Sequence, residues 1–364
     1  MARLGISLYP EQSTPAADRA YLQLAHELGY RRVFTSLLQL TSADGEDLVA
    51  PFRDTVAFAN QLGFAVIADV NPALFSDLGI TYQDLSWFDA LGVWGIRLDE
   101  GFTGSEEAAM TRNPFGLKIE LNMSHGGQYL ANILSYSPNR ANLIGCHNFY
   151  PQQYTGLGDA RFTEYSQPYR EAGLTSAAFV TSHEASFGPW PVNEGLPTLE
   201  SDRERPIASQ VMHLRLTDAV SDILIGNAYA SDAELRAAAA AFSAPNPGLQ
   251  VELAPDITAI EREIVLLPAH LYRGDASDYL IRDTQPRVTY RAESISARAG
   301  AAALRRGDVV VVNNDYARYK GECQIVLRPV PNDGRRNVVG HIAQSDLALL
   351  DELRPWQQFD LLAD

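Results

Sequence analysis

Short apolar runs recur through the first two thirds of the chain, and the stretches between them carry their apolar residues on one helical face. The runs Leu4 to Tyr9, Arg32 to Ser36, Ala65 to Val70, Gly95 to Asp99, Leu117 to Asn122, Leu143 to Phe149, Ser176 to Thr181 and Asp222 to Asn227 read as strands. Thr14 to Leu28 is the clearest helix: Thr14 is suited to cap it, Pro15 to open it, and Tyr21, Leu22, Ala25 and Leu28 form a stripe that ends at Gly29. Asp47 to Leu62, Pro206 to Val220 and Ser231 to Phe242 repeat the scheme. Eight such alternations predict an α/β fold, a parallel (β/α)8 TIM barrel rather than an open sheet. In a barrel of that kind the functional side chains gather at the C-terminal ends of the strands.

The pattern changes at Ser243-Ala244-Pro245-Asn246-Pro247-Gly248, which divides the chain into a barrel domain over 1–243 and a second domain over 249–364. Beyond the break, Leu249 to Leu253, Glu263 to Leu267, Tyr279 to Arg282, Val309 to Asn313, Glu322 to Leu327 and Asn337 to Ile342 are strand-like, so a smaller all-β domain is expected. Two barrel loops exceed the usual length. One covers 151–159; the other, 184–205, is rich in Gly and Pro and reads as an ordered cover over the mouth.

The formal charge of −16 is spread along the 364 residues, which argues against nucleic acid and anionic membranes as partners. No apolar run has the length of a membrane span, and Met1-Ala2-Arg3 leads directly into a strand, so the cytoplasm is the expected location. Cys146 and Cys323 fit neither a disulfide framework nor a metal site. There is no phosphate-binding loop or dinucleotide fingerprint, and no cofactor is expected. Association into a homo-oligomer is compatible with the sequence and not fixed by it.

At the strand ends the barrel collects Tyr9, Asp69, Asp99, Glu120, Asn122, His147, Asn148, Tyr150, His183 and Asn227. Carboxylates and amides that bind paired hydroxyls, with Tyr150, Tyr154 and Trp190 to cover a ring face, suit a small carbohydrate. Glycoside hydrolysis needs one carboxyl to protonate the leaving oxygen and a second as nucleophile or base. Asp99, Glu120 and Glu200 are the catalytic candidates. Glu120 is expected to lie a layer deeper, as an acid or as a structural partner of Arg97. His147 and His183 leave a metal-dependent sugar isomerase, epimerase or lyase as an alternative, and a non-catalytic carbohydrate-binding protein is another. In the second domain Asn314, Tyr316, Arg318, Tyr319 and Lys320 concentrate cations and aromatics in one turn. With Arg203 of the long loop they are candidates for binding an anion or a sugar.

Several of these segments together resemble the bacterial 6-phospho-N-acetylmuramidase family. They are Gly5-Ile6-Ser7 with Tyr9-Pro10, Phe34 to Leu37, Arg97-Leu98-Asp99, Ile119 to Ser124, His147 to Pro151 with Thr155-Gly156-Leu157, Leu196 to Glu200, and Asn313-Asn314 with Tyr316 to Glu322. The resemblance spans the chain. It implies a TIM barrel followed by a smaller cyclophilin-like all-β domain, and cytoplasmic hydrolysis of 6-phospho-N-acetylmuramic acid linked to N-acetylglucosamine, a step of cell-wall recycling. The chain departs from the family pattern in three places: Gln152-Gln153 replaces an expected basic residue, Glu100 an expected aromatic, and Met123 to Gly127 a run of small residues. The first departure bears on the substrate's phosphate rather than on glycosidase chemistry; if only the phosphorylated form is cleaved, Arg203, Arg318 and Lys320 are the candidates for its clamp.

Overall fold

A computed structural model describes residues 2–38, 45–192 and 194–363. Its chain divides into two compact units, Met1–Phe242 and Ser243–Asp364. In the first, eight parallel strands close into a barrel. They are β1 (Leu4–Leu8), β2 (Arg32–Ser36), β3 (Ala65–Val70), β4 (Gly95–Leu98), β5 (Lys118–Asn122), β6 (Leu143–Cys146), β7 (Ser176–Val180) and β8 (Asp222–Ile225). β1 pairs with β8 through Leu4 opposite Ile223, which seals the last edge.

Alternation along each strand builds two surfaces. Leu4, Ile6 and Leu8, then Val66, Ala68 and Val70, Ile96 and Leu98, Ile119 and Leu121 pack with helix residues such as Leu22, Phe52, Phe88, Phe162 and Leu235. Each of these buried side chains contributes about 1.5–3 kcal/mol, and cutting one to alanine, Ile119 for instance, costs about 2–5 kcal/mol. The helices obey the local signals. Pro15–Glu27 is capped by Thr14, whose hydroxyl accepts from the Ala17 amide at 3.3 Å.

The alternate residues face the barrel axis and fill it unevenly. Tyr9, Phe34, Cys146, Ala177, Phe179 and Leu224 form an apolar half, with Phe149 edge-on to both Phe34 and Phe179. Arg32, Glu120, Asp222, Asp69 and Arg97 are also buried, so ion pairs line the rest.

The second unit is mostly strand. It contains β9 (Gly248–Leu253), β10 (His270–Leu271), β11 (Leu280–Asp283), β12 (Ala303–Leu304), β13 (Asp308–Val312), β14 (Cys323–Val326), β15 (Val330–Pro331), β16 (Arg336–Ile342) and β17 (Gln358–Leu362). Seven of them form one sheet in the order β10-β17-β9-β16-β13-β14-β11. It is the smaller β-sheet domain that was expected, with one of the expected strands replaced. The stretch expected as a strand at Glu263 to Leu267 is overtaken by a helix, Ala259–Val265. Its cause is local: Thr258 accepts from the Glu261 amide while the Glu261 carboxylate accepts from the Thr258 amide, a capping box that satisfies two otherwise unpaired donors.

Candidate active site

The barrel mouth centres on one guanidinium. Arg97 of β4 donates from Nη1 to Asp69 Oδ1 at 2.6 Å and to Asp99 Oδ1 at 3.1 Å, and from Nη2 to Asn148 Oδ1. Register places Asp69 of β3 beside Arg97, and Asp99 follows two residues after it at the strand end. The Asp69 side chain is 5% exposed and that of Asp99 37%, so one carboxylate is mostly buried and the other opens to solvent.

Two carboxylates share one cation here. Burial pushes the Asp69 carboxyl up to about 7; Arg97 pulls it down, and the neighbouring Asp99 charge pushes it up again. The same desolvation acts on Glu11, in the turn Pro10–Gln12 directly after β1. Among the described residues neither enclosed Glu11 carboxylate oxygen meets a hydrogen-bond partner, and burial raises its pKa. Sequence reasoning passed over Glu11, although its place at the C-terminal end of the first strand was the signal applied to every other strand.

Deeper in the barrel the charges are balanced. Glu120 does not pair with Arg97, its neighbour in register, but with the Arg32 guanidinium. Arg32 also donates to Asp222 Oδ2 at 2.9 Å, and Arg3 reaches the same carboxylate at 3.0 Å. Glu120 is therefore enclosed in an internal ion-pair chain, with no exposed surface of its own.

The structure commits several other expected site residues to the scaffold. Glu200 accepts from the Tyr154 amide at 2.7 Å, the Gly156 amide at 2.8 Å and Arg203 Nη2 at 2.7 Å. Hydrogen bonding to Arg203 leads the causes that lower its carboxyl to about 2, so it is an anion that ties the two long loops together rather than a proton donor. A Cβ at Gly156 would lie 2.6 Å from Glu200 Oε2, which is why glycine occupies that turn. Arg203, buried beside it, also donates to the carbonyls of Glu194, Gly195, Tyr150 and Gln152, and these bonds occupy its guanidinium instead of a phosphate.

Asn122 donates to the Asp99 carbonyl at 3.0 Å and accepts from the Ser124 amide, and Asn227 clasps both backbone groups of Ser182. Both amides are buried among these backbone groups. The Tyr9 hydroxyl donates to the Gly226 carbonyl and its ring belongs to the apolar half of the barrel. His147 turns toward the helix Asp159–Glu171, with Nδ1 3.2 Å from Ser124 Oγ, Nε2 2.9 Å from Ser166 Oγ, and its ring against Phe162. Burial and the Arg97 charge lower it to about 3, so it stays neutral. His183 Nε2 donates to the Arg203 carbonyl at 2.8 Å. The two histidines expected of a metal centre thus serve different layers. Asn148 and half-buried Tyr150 remain at the mouth, while Tyr154 and Trp190 expose their rings at 88% and 44%. Asn314, Tyr316, Arg318, Tyr319 and Lys320 belong to the second unit.

The family model described as 6-phospho-N-acetylmuramidase, N-terminal, matches residues 4–240, and its C-terminal counterpart matches 247–362. The chain belongs to the 6-phospho-N-acetylmuramidase family. Membership makes it a glycosidase. Two solved structures are similar along the whole chain: an uncharacterized B. cereus protein at 44% identity and TM-score 0.90, covering 100% of both chains, and a conserved Enterococcus faecalis protein of unknown function at 25% identity and TM-score 0.76, covering 100% of this chain and 97% of that one. Among curated proteins none is significantly similar to this chain.

The arrangement around Arg97 thus joins one carboxyl that burial raises to about 7 and a second that is open to solvent.

Proposed function

We propose that the barrel mouth hydrolyses the glycosidic bond between 6-phospho-N-acetylmuramic acid and N-acetylglucosamine, with Asp69 as the proton donor and Asp99 as the second carboxyl. The observation that supports this most is the Asp69–Arg97–Asp99 cluster, in which burial raises Asp69 to about 7 while Asp99 faces solvent. Protonated Asp69 gives its proton to the leaving oxygen as the bond breaks. Asp99 then stabilises the developing positive charge on the sugar and takes the part of nucleophile or of base toward water. Arg97 holds both carboxyls at fixed positions, and Asn148, tied to the same guanidinium, keeps its amide N–H groups for a sugar hydroxyl. Tyr154 and Trp190 offer exposed rings for a pyranose face.

Glu120 and Glu200 support this chemistry indirectly, one through the barrel's internal ion pairs and the other through its loops. The family's description supports the sugar and its phosphate. A cytoplasmic place in cell-wall recycling follows from the same reading.

The test is mass-resolved product formation from the disaccharide with and without its 6-phosphate. Release of N-acetylglucosamine by the wild-type protein, lost in Asp69→Asn with the fold intact, is the expected result. Equal rates in wild type and Asp69→Asn would overturn the assignment.

A further inference from the structure

The second unit concentrates positive charge against the sign of the whole chain. A surface pocket of about 350 Å³ is lined by Thr284, Arg287, Val288, Arg291, Ala317, Arg318 and Lys320. Four cations line one concavity in a protein whose formal charge is −16, and among the described residues only Arg287 of the four has a carboxylate partner, Glu322 at 3.4 Å.

The frame of this pocket is braced. The Lys320 ammonium donates to the carbonyls of Arg291 at 2.9 Å and Glu293 at 2.5 Å, pinning the segment after the helix Gln285–Thr289 to the turn that carries Arg318. Arg287 donates to the Arg318 carbonyl at 2.6 Å and lies 5.0 Å from the centre of the Tyr319 ring. Tyr319 packs on Tyr316, and Arg335 covers the Tyr316 ring on its other side at 4.9 Å. Two phenol rings flanked by two guanidiniums therefore brace the turn. On this frame the exposed Arg291 and Arg318 side chains make no hydrogen bond or ion pair among the described residues. Lys320 keeps a third proton beyond its two carbonyl bonds.

A braced pocket that presents two uncommitted guanidiniums and an ammonium, with no acid to neutralise them, matches a compact dianion. A phosphate monoester carries close to two charges at neutral pH and several strong acceptor oxygens, and arginine forks bind such groups through paired hydrogen bonds. We infer that this pocket is a phosphate-monoester site built wholly within the second unit. Its existence does not depend on the chemistry of the barrel. The source of the phosphate is either the sugar substrate or a separate phosphorylated metabolite.

The experiment titrates the full chain with inorganic phosphate, N-acetylglucosamine 6-phosphate and N-acetylglucosamine by calorimetry, in wild type and in an Arg291→Gln, Arg318→Gln double variant. Both positions are exposed, and an unchanged melting temperature certifies the fold. The two phosphates should bind saturably and at least about tenfold more weakly in the double variant, as loss of charge-assisted bonds requires; raised salt should weaken the wild-type affinity. Saturable phosphate binding that is identical in both proteins, or no binding to either, overturns the site.

Hydrolysis kinetics then separate the two sources. A KM for the phosphorylated disaccharide that rises about tenfold in the double variant at constant kcat assigns the phosphate to the substrate. An unchanged KM with phosphate affinity lost assigns it to a separate ligand. Failure of wild type to cleave the disaccharide would contradict the barrel reading and leave the titration standing, so the two ideas fail separately.

Discussion

The barrel holds two arginine–carboxylate layers made from the same residue types, and they behave differently. In the deeper one, Arg3 and Arg32 face Glu120 and Asp222, two cations for two anions, all joined by short contacts. In the upper one a single cation, Arg97, serves both Asp69 and Asp99. The deeper layer is balanced, each buried carboxylate meeting a guanidinium. The upper layer has one carboxylate more than its guanidinium can neutralise, and burial leaves Asp69 holding a proton up to about pH 7. Stoichiometry and access, not residue type, distinguish a structural ion pair from an acid.

The comparison is sharpest in Asp69→Asn. Removing the proton donor should lower kcat by about 10²–10⁴-fold, the range of general acid catalysis, with melting behaviour preserved. In the wild type, kcat/KM should fall as pH rises past about 7 and the donor ionises. Steady-state rates across pH check both points, and a basic limb that persists in the variant would contradict them.

The matching change below, Glu120→Ala, should act on stability instead. It strips Arg32 of a buried partner, and breaking such a pair costs about 3–5 kcal/mol. A urea titration should show that loss, while the rate per folded molecule stays close to wild type. A catalytic defect without destabilisation would reverse the roles assigned to the two layers.

Asp69 of the upper layer and Glu200 of the loops should also leave opposite marks on the pH dependence of stability. Asp69 has a folded pKa above its unfolded value of 3.8, so it lowers stability as pH rises from there toward about 7. Glu200 has a folded pKa depressed from 4.5 to about 2, so its contribution is present above 4.5 and is lost as pH falls toward 2. A quarter of the Glu200 side chain is exposed, which limits that contribution to about 1 kcal/mol. Denaturation midpoints of Glu200→Gln should accordingly show a flatter acid limb between pH 4.5 and 2. A smaller effect again separates the two units: Thr258→Ala removes the capping box and should cost about 1 kcal/mol, read as a lower melting temperature.

The barrel was legible from sequence because each strand is a short apolar run and a helix such as Pro15–Glu27 has both a stripe and a cap; all eight strands begin within a residue of where the pattern puts them. Its internal pairings were not. Glu120 neighbours Arg97 in the sheet yet bonds Arg32, since the barrel brings β2, β5 and β8 together across its axis, and no local spacing encodes that. Other outcomes were encoded locally. Glu200 and Arg203 are three residues apart, a spacing that favours their pairing, and Thr258-Ala259-Ile260-Glu261 spells the cap that turned an expected strand into a helix. Glu11 follows the first strand directly and was overlooked because its only signal is position.

An isotope-edited infrared titration of the aspartate carboxyls, taken as the difference between wild type and Asp69→Asn, reads the proton on Asp69 directly. The account predicts a protonated carboxyl band that disappears with a midpoint near pH 7 and is absent from the variant. A wild-type protein in which that carboxyl is already ionised at pH 5 would contradict it.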